Sequence, residues 1–150
     1  MIEFQPLTEE RIAECIQLVL MCIDDMGGME PAAMSAFSKR IQEKVYAERL
    51  LKSSAIVAVE NGQVVGMGAL NECDIQKMYV HPTHRHRGIA RSIHAILENK
   101  ARQQGLTRLK LESTMNAVGF YQRLGYQTVR ENRWHIGGGE VINLIMDKDL

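Results

Sequence analysis

The chain has 150 residues, of which 45% are hydrophobic, and its 18 lysines and arginines balance 18 aspartates and glutamates to a formal charge of zero. A chain of this length is expected to form one domain, residues 1–150, that buries roughly 70% of its extended surface on folding. Zero net charge speaks against nucleic acid or an anionic membrane as a partner, because both are attracted by a general positive field.

The cysteines indicate the compartment. Cys15, Cys22 and Cys73 are an odd number with no CxxC pair, so neither a disulfide framework nor a zinc knuckle is predicted. The N-terminus lacks the basic and apolar regions of a signal peptide, and no stretch approaches the roughly 18 apolar residues of a membrane span. We therefore expect a cytoplasmic protein without membrane association.

The first third of the chain predicts one strand and two helices. Residues 2–7 form the strand, and Thr8 is placed to cap a helix whose apolar residues recur at intervals of three and four until Gly27 and Gly28. A second helix is predicted over 31–51, because Pro31 is typical of the first position of a helix.

The rest of the chain mixes a hairpin with a strand-helix-strand crossover. Strands 55–59 and 64–70 flank Asn61-Gly62, the dipeptide that most readily supplies two positive φ angles. The further elements are a strand at 74–80, a helix at 88–104, a strand at 108–113, a brief helix capped by Asn116 and running through Leu124, and strands at 126–133 and 141–146 around Gly137-Gly138-Gly139. This order predicts an α/β sandwich around one mixed sheet.

Residues 80–92, VHPTHRHRGIARS, join a strand to the start of the best-defined helix and concentrate Arg85, Arg87 and Gly88 there. The start of a helix offers unpaired N–H groups and a partial positive charge, and a glycine lets phosphate oxygens approach the backbone. The basic side chains are expected to add to this attraction. Neither a Walker loop nor GxGxxG is present, and a short Arg-x-x-Gly-x-Ala on its own is more typical of a solvated basic helix entry than of an anion site.

The same loop contains His81, His84 and His86. Metal sites combine such histidines with acidic or cysteine ligands at characteristic spacings, and this loop has none. No metal is therefore predicted.

About 30 residues after the loop comes NAVGFYQRLGYQTV. The two motifs, in this order and within these elements, resemble the GCN5-related N-acetyltransferase (GNAT) superfamily, and the resemblance spans about residues 55–147. It implies a mixed, mostly antiparallel central sheet flanked by helices on both faces. It also implies that the chain uses acetyl-CoA, with the backbone of the Arg-x-x-Gly-x-Ala loop cradling the pyrophosphate.

The resemblance also implies which residues contact the co-substrate. The end of strand 74–80 would pair with the pantetheine arm, and the Met78 N–H would face the thioester oxygen, where one such donor is commonly worth about 3 kcal/mol of barrier. The implied contacts are Met78, Tyr79, Val80, Arg85, His86, Arg87, Gly88, Ile89, Ala90, Ser92, Asn116 and Tyr121.

Two side chains are predicted to be catalytic. Tyr121 would be the general acid that protonates the leaving thiolate, although Phe120, Tyr121 and Leu124 are also typical of a short helix packed on a sheet. The base that takes the proton of the amine is sought among Glu72, Asp74 and Glu112, and Glu72 is our first choice, because a glutamate near this strand often serves in relatives.

The function implied is an acetyl-CoA-dependent N-acetyltransferase that acts on a primary amine by direct attack in a ternary complex. The alternative is a noncatalytic acyl-CoA sensor on the same fold. The acceptor, a small amine or a protein lysine or N-terminus, is left open by the sequence. A homodimer is predicted, since acetyltransferases of this type often pair.

Overall fold

One mixed sheet of seven strands organises the structure, a computed structural model that describes residues 1–150. The elements are β1 (Ile2–Pro6), α1 (Ile12–Cys22), α2 (Pro31–Ile41), α3 (Lys44–Lys52), β2 (Ser54–Glu60), β3 (Gln63–Asn71), β4 (Asp74–Val80), α4 (Ile89–Gln103), β5 (Arg108–Ser113), α5 (Val118–Arg123), β6 (Gln127–Ile136) and β7 (Gly139–Asp149). The strand order is β1-β2-β3-β4-β5-β7-β6, and only β4 and β5 run parallel. The predicted α/β class with a mixed sheet is confirmed.

Helices cover both faces of this sheet. On one face α1, α2 and α3 bury residues such as Leu18, Ile41 and Leu50 against β2 and β3. On the other face α4 and α5 bury Ile93, Leu97 and neighbouring apolar side chains against β3, β4 and β5. None of the five helices has the length and apolar character needed to cross a lipid bilayer.

Two tight turns follow directly from the sequence. Asn61 and Gly62 have φ angles of 52° and 77° and connect β2 to β3, as predicted. Gly137 and Gly138, with φ angles of 59° and 81°, connect β6 to β7. Gly139 belongs to β7 rather than to the turn, so the final hairpin is longer than predicted.

The prediction of one helix over 31–51 is wrong, because the chain breaks at Gln42 and Glu43 into α2 and α3. Ile41 and Leu50 are both fully buried in the same core cluster. Nine residues at 100° per residue would put them on opposite faces of a straight helix. The break lets both side chains reach the core.

The prediction that Asn116 caps the following helix is also wrong. A 3-10 turn, Met115–Ala117, precedes α5, so Asn116 lies inside the turn and Thr114 occupies the position before it. The Asn116 side chain instead accepts a hydrogen bond from Thr114 Oγ1 at 2.6 Å, and its backbone N–H donates to Met26 O at 3.2 Å. Thr8 likewise precedes a 3-10 turn and makes no capping hydrogen bond with its side chain.

The sheet opens between β4 and β5. Their parallel register contains one pair, Asp74 with Lys110, and Lys110 N donates to Cys73 O at 3.0 Å. Beyond this point β4 continues to pair with β3 and β5 with β7, while the facing edges of β4 and β5 have no strand partner. The result is a gap in the middle of the sheet.

Candidate active site

A cavity of about 360 Å³ occupies this gap. It is bounded by β4, the end of α1, the loop before α4, the end of β5 and the start of α5. The lining residues are Cys22, Met26, Ile75, Gln76, Lys77, Met78, Tyr79, Val80, Arg85, His86, Glu112, Thr114, Asn116, Ala117 and Tyr121. Seven of the residues implied by the sequence are thus brought together: Met78, Tyr79, Val80, Arg85, His86, Asn116 and Tyr121.

A bulge in β4 shapes one wall of the cavity. The register pairs Met67 with Tyr79 and Ala69 with Gln76, so Lys77 and Met78 together oppose Gly68 and have no register partner. Lys77 has a φ of 55°, a left-handed conformation that is uncommon for a lysine and typical of a bulge. Bulges turn the backbone out of the ladder, and here the turn lies beside the cavity. No sequence signal marks this bulge.

The loop that leads into α4 has an open backbone. Gly88 precedes the helix with a φ of 78°, and a Cβ built on it would meet no atom within 4 Å. The first helical hydrogen bond runs from Ser92 N to Gly88 O at 3.0 Å, so the N–H groups of 89–91 precede it. Ile89 is buried in the core, whereas Ala90 and Ser92 are half-buried. The loop therefore offers backbone donors and free space at the start of a 15-residue helix.

The two arginines of this loop are already paired. Arg85 Nη1 donates to Asp25 Oδ2 at 2.8 Å, and Arg87 donates to both oxygens of Glu60 at 3.1 and 2.7 Å. The hydrogen bonds from Arg87 lower the pKa of Glu60 to about 2. The expectation that both side chains add free positive charge to the anion site is therefore wrong for this structure: the carboxylates neutralise them, and the backbone donors remain.

Tyr121 stands in the wall of the cavity with 7% of its surface exposed. Its ring packs edge-on against Phe120 and Tyr126, at 5.1 and 5.6 Å between centroids, and its hydroxyl has no hydrogen-bond partner in the protein. Burial raises the pKa of Tyr121 above its ordinary value, so the phenol keeps its proton at neutral pH. Behind it, Tyr126 OH lies 2.8 Å from Nε2 of the buried His94.

The three candidate bases occupy different positions. Glu72 is exposed at the turn between β3 and β4, with a φ of 54°, and lines neither this cavity nor its neighbour. It lies six residues from Met78, roughly 20 Å along an extended strand. Asp74 is tied to Lys110 at the closed end of the gap. Glu112, by contrast, lines the cavity, and Asn143 Nδ2 donates to its Oε2 at 3.5 Å.

Two of the three loop histidines are held by local contacts. Thr83 Oγ1 lies 2.8 Å from Nδ1 of both His81 and His84, and His84 Nε2 lies 3.2 Å from Glu60 Oε1. Nowhere in residues 1–150 do three His, Cys, Asp or Glu side chains converge in a way that could hold a metal ion. His81 and His84 therefore serve the packing of the loop, whereas His86 lines the cavity.

A comparison with protein families matches residues 9–141 to the acetyltransferase (GNAT) domain. Among proteins of similar sequence, the uncharacterized N-acetyltransferase YafP of Escherichia coli K12 is 31% identical over 116 residues, which cover 77% of this chain and 73% of YafP. The uncharacterized N-acetyltransferase YjgM of the same organism is 32% identical over 79 residues, covering 45% of this chain and 47% of YjgM.

Solved structures share the fold. A GCN5-related N-acetyltransferase from Rhodopseudomonas palustris superposes with a TM-score of 0.92 at 24% identity, over 99% of this chain and 95% of that one. The PaiA N-acetyltransferase of Thermoplasma acidophilum, solved with coenzyme A, gives 0.76 at 16% identity over 100% and 99% of the two chains. YncA of Salmonella typhimurium, solved with acetyl-CoA, gives 0.73 at 17% identity over 100% and 94%.

Proposed function

Because this chain belongs to the GNAT acetyltransferase family, an acetyl-CoA-dependent family of N-acetyltransferases, we propose that it transfers the acetyl group to a primary amine by direct attack in a ternary complex. The observation that carries this proposal is the gap between β4 and β5. It joins an unpaired strand edge and a buried tyrosine with a free hydroxyl in one cavity, and Arg85 and His86 of the loop that leads to the open start of α4 line the same cavity.

The residues around the gap fit the proposed co-substrate. Backbone N–H groups of residues 85–90, at the positive end of α4, suit the pyrophosphate, and the conformation of Gly88 leaves space for its oxygens. The edge of β4 that faces the gap, at Met78 and Val80, suits the amide groups of the pantetheine arm, since the backbone groups on this edge have no partner in β5. Cys22 Sγ donates to Val80 O at 3.4 Å. This hydrogen bond would break when the pantetheine arm binds the Val80 carbonyl.

Two groups would stabilise the reaction. The Met78 N–H, turned out of the ladder by the bulge, would donate to the thioester oxygen as negative charge develops there. Attack by the amine forms the carbon-nitrogen bond and gives a tetrahedral intermediate, whose collapse breaks the carbon-sulfur bond, and the departing thiolate needs a proton. Tyr121 would supply that proton or a strong hydrogen bond, and its raised pKa favours a phenol that arrives protonated.

We propose Glu112, rather than Glu72, as the group that takes the proton from the attacking amine. Its carboxylate borders the cavity and is oriented by Asn143, whereas Glu72 lies at the far turn. The distance to the amine can be bridged by water, because a general base needs only direct contact or one intervening molecule.

The test follows free thiol release from acetyl-CoA in the presence of a panel of amines. We expect Tyr121→Phe to lower kcat by about 10²-fold or more while the Kd for coenzyme A stays within twofold. Tyr126→Phe is the matched control, because it removes the hydroxyl of another buried tyrosine, one that lies against His94 and does not line this cavity. A Tyr121→Phe enzyme with full turnover would refute the assigned role, and coenzyme A binding without turnover on any amine would favour the acyl-CoA sensor instead.

A further inference from the structure

A second and larger cleft adjoins the cavity, with a volume of about 910 Å³. Its lining comes from β4, β5, β6 and β7 and the end of β3 on the sheet side, and from the C-terminal parts of α2 and α3 on the other. Four residues, Ile75, Gln76, Lys77 and Glu112, line both spaces. A molecule in this cleft would therefore reach the gap past Glu112.

The cleft concentrates positive charge in a protein whose net charge is zero. Six cationic side chains line it, and they face only two carboxylates, Asp74 and Glu112. The six are Arg40, Arg49, Lys52, Lys77, Lys110 and Arg130. Six positive and two negative charges leave a local excess of four positive charges. A concave surface focuses the field of these charges and so strengthens the attraction for an anion.

Most of these cations have no carboxylate partner. Lys110 lies 3.6 Å from Asp74, and the other five form no salt bridge anywhere in residues 1–150. The contrast with the loop before α4 is direct, because Arg85 and Arg87 are there neutralised by Asp25 and Glu60. Burial, together with repulsion from Arg49, lowers the pKa of Lys77. A bound anion would relieve this repulsion.

Aromatic rings hold two of the cations in position without cancelling their charge. The Arg40 guanidinium stands 5.9 Å from the centre of the Trp134 ring, and Lys77 Nζ stands 5.3 Å from the centre of the Tyr46 ring. Such contacts orient a cation while it stays available to an anion. Lys77 also donates to Gln76 Oε1 at 3.2 Å, which fixes it at the border between the two spaces.

At the inner end of the cleft the polarity changes. Glu112 borders both the cleft and the cavity, and Asn143 Nδ2 donates to its Oε2 at 3.5 Å. A carboxylate accepts hydrogen bonds from the N–H groups of an amine. The cleft thus presents an acceptor beside the gap, and five of its six cations lie outside the cavity.

From this arrangement we infer that the cleft is the acceptor site and that the acceptor is a small amine carrying a carboxylate or phosphate. The inference rests on the proposed function, and it adds the chemical class of the acceptor. The amine would point toward Glu112, and the anionic end would be held by Arg49, Arg130 and their cationic neighbours. The volume of the cleft is that of a small-molecule site.

The experiment compares amines of matched length: 4-aminobutyrate, O-phosphoethanolamine, and 4-aminobutanol, which has a hydroxyl in place of the anionic group. We expect one or both anionic amines to give kcat/KM about 10- to 100-fold above that of 4-aminobutanol, because the amino alcohol cannot form charge-assisted hydrogen bonds with the cations. This advantage should shrink as ionic strength rises. The carboxylate and phosphate arms identify which anion is preferred. Arg49→Gln and Arg130→Gln should each reduce the advantage, whereas Lys39→Gln, an exposed lysine of α2 outside the cleft, should not.

A binding measurement tests the acceptor class independently of the proposed acetyl transfer. The anionic amines should raise the Tm of the protein with coenzyme A bound, and Arg49→Gln should abolish that rise. Equal acetylation of all three amines, or no effect of the arginine substitutions, would overturn the acceptor class while acetyl transfer stands. A rise in Tm without thiol release would support the anion site and overturn acetyl transfer.

Discussion

Arg87 and Glu60 form a two-pronged ion pair that connects the loop before α4 to the end of β2, with N···O distances of 3.1 and 2.7 Å. His84 joins the same carboxylate at 3.2 Å. The pair fixes the loop that connects the cavity-lining Arg85 and His86 to Gly88 and the start of α4. Because the pKa of Glu60 is lowered to about 2, the contact persists at neutral and mildly acidic pH.

Glu60→Gln tests this relationship. We expect the KM for acetyl-CoA to rise about two- to fivefold with kcat unchanged, since the substitution loosens the loop without touching the reacting atoms. Steady-state kinetics at pH 7.5 measure the effect. Glu131→Gln, which removes a comparable surface ion pair on β6, should leave KM unaltered, and an equal rise in both variants would contradict the assignment.

Gly88→Ala should weaken coenzyme A binding by about tenfold or more, because a methyl group would stand where phosphate oxygens approach the backbone. The matched variant is Gly62→Ala. Gly62 has nearly the same φ, 77° against 78°, and equally open surroundings, so both variants should lose about 1–2 kcal/mol of stability. Equilibrium binding measures the loss of affinity for coenzyme A, and chemical unfolding measures the loss of stability. Similar affinities in the two variants would argue against a phosphate-binding role for the loop at Gly88.

Glu112→Gln should lower kcat/KM by about 10²-fold at pH 7, since the amine then lacks its proton acceptor. The deficit should narrow as pH rises toward the pKa of the amine, where the free base predominates. Glu72→Gln is made in parallel and should change the rate less than twofold. The opposite pattern in the pH-rate profiles would return the role to Glu72.

His94 should make the fold acid-sensitive. It is 3% exposed, and burial lowers its pKa from 6.5 to about 4. Between these values the unfolded chain binds the proton and the folded chain does not, so stability falls as pH drops below about 6.5 and levels off near 4, by on the order of 2–3 kcal/mol. Urea unfolding at pH 7.5 and 5 should show less pH dependence in His94→Gln. The exposed His135→Gln should behave as the parent does, and an unchanged pH dependence in His94→Gln would refute the assignment.

Local rules account for much of the fold. Asn61-Gly62 dictates its hairpin by itself, and β4 spans the predicted residues 74–80 because Pro82 follows directly. The break between α2 and α3 has no proline or glycine to mark it. It arises because Ile41 and Leu50 must face one core, which is a requirement of tertiary packing.

The site divides in the same way. The loop before α4 and Tyr121 belong to contiguous motifs, so both can be proposed from the sequence alone. The bulge at Lys77 depends on pairing with β3, and the partners of Arg85 and Arg87 lie 60 and 27 residues away. The basic cleft draws on residues scattered from Arg40 to Arg130, so the zero net charge concealed it.

The single backbone pair between β4 and β5 divides the sheet into two antiparallel halves, β1 to β4 and β5 to β7. A pantetheine arm in the gap would act as a temporary eighth strand, so that the sheet becomes continuous when acetyl-CoA is bound. Amide protons on the facing edges should then exchange with deuterated solvent more slowly in the loaded protein than in the free one. Binding of the co-substrate would therefore also join the two halves of the sheet by hydrogen bonds.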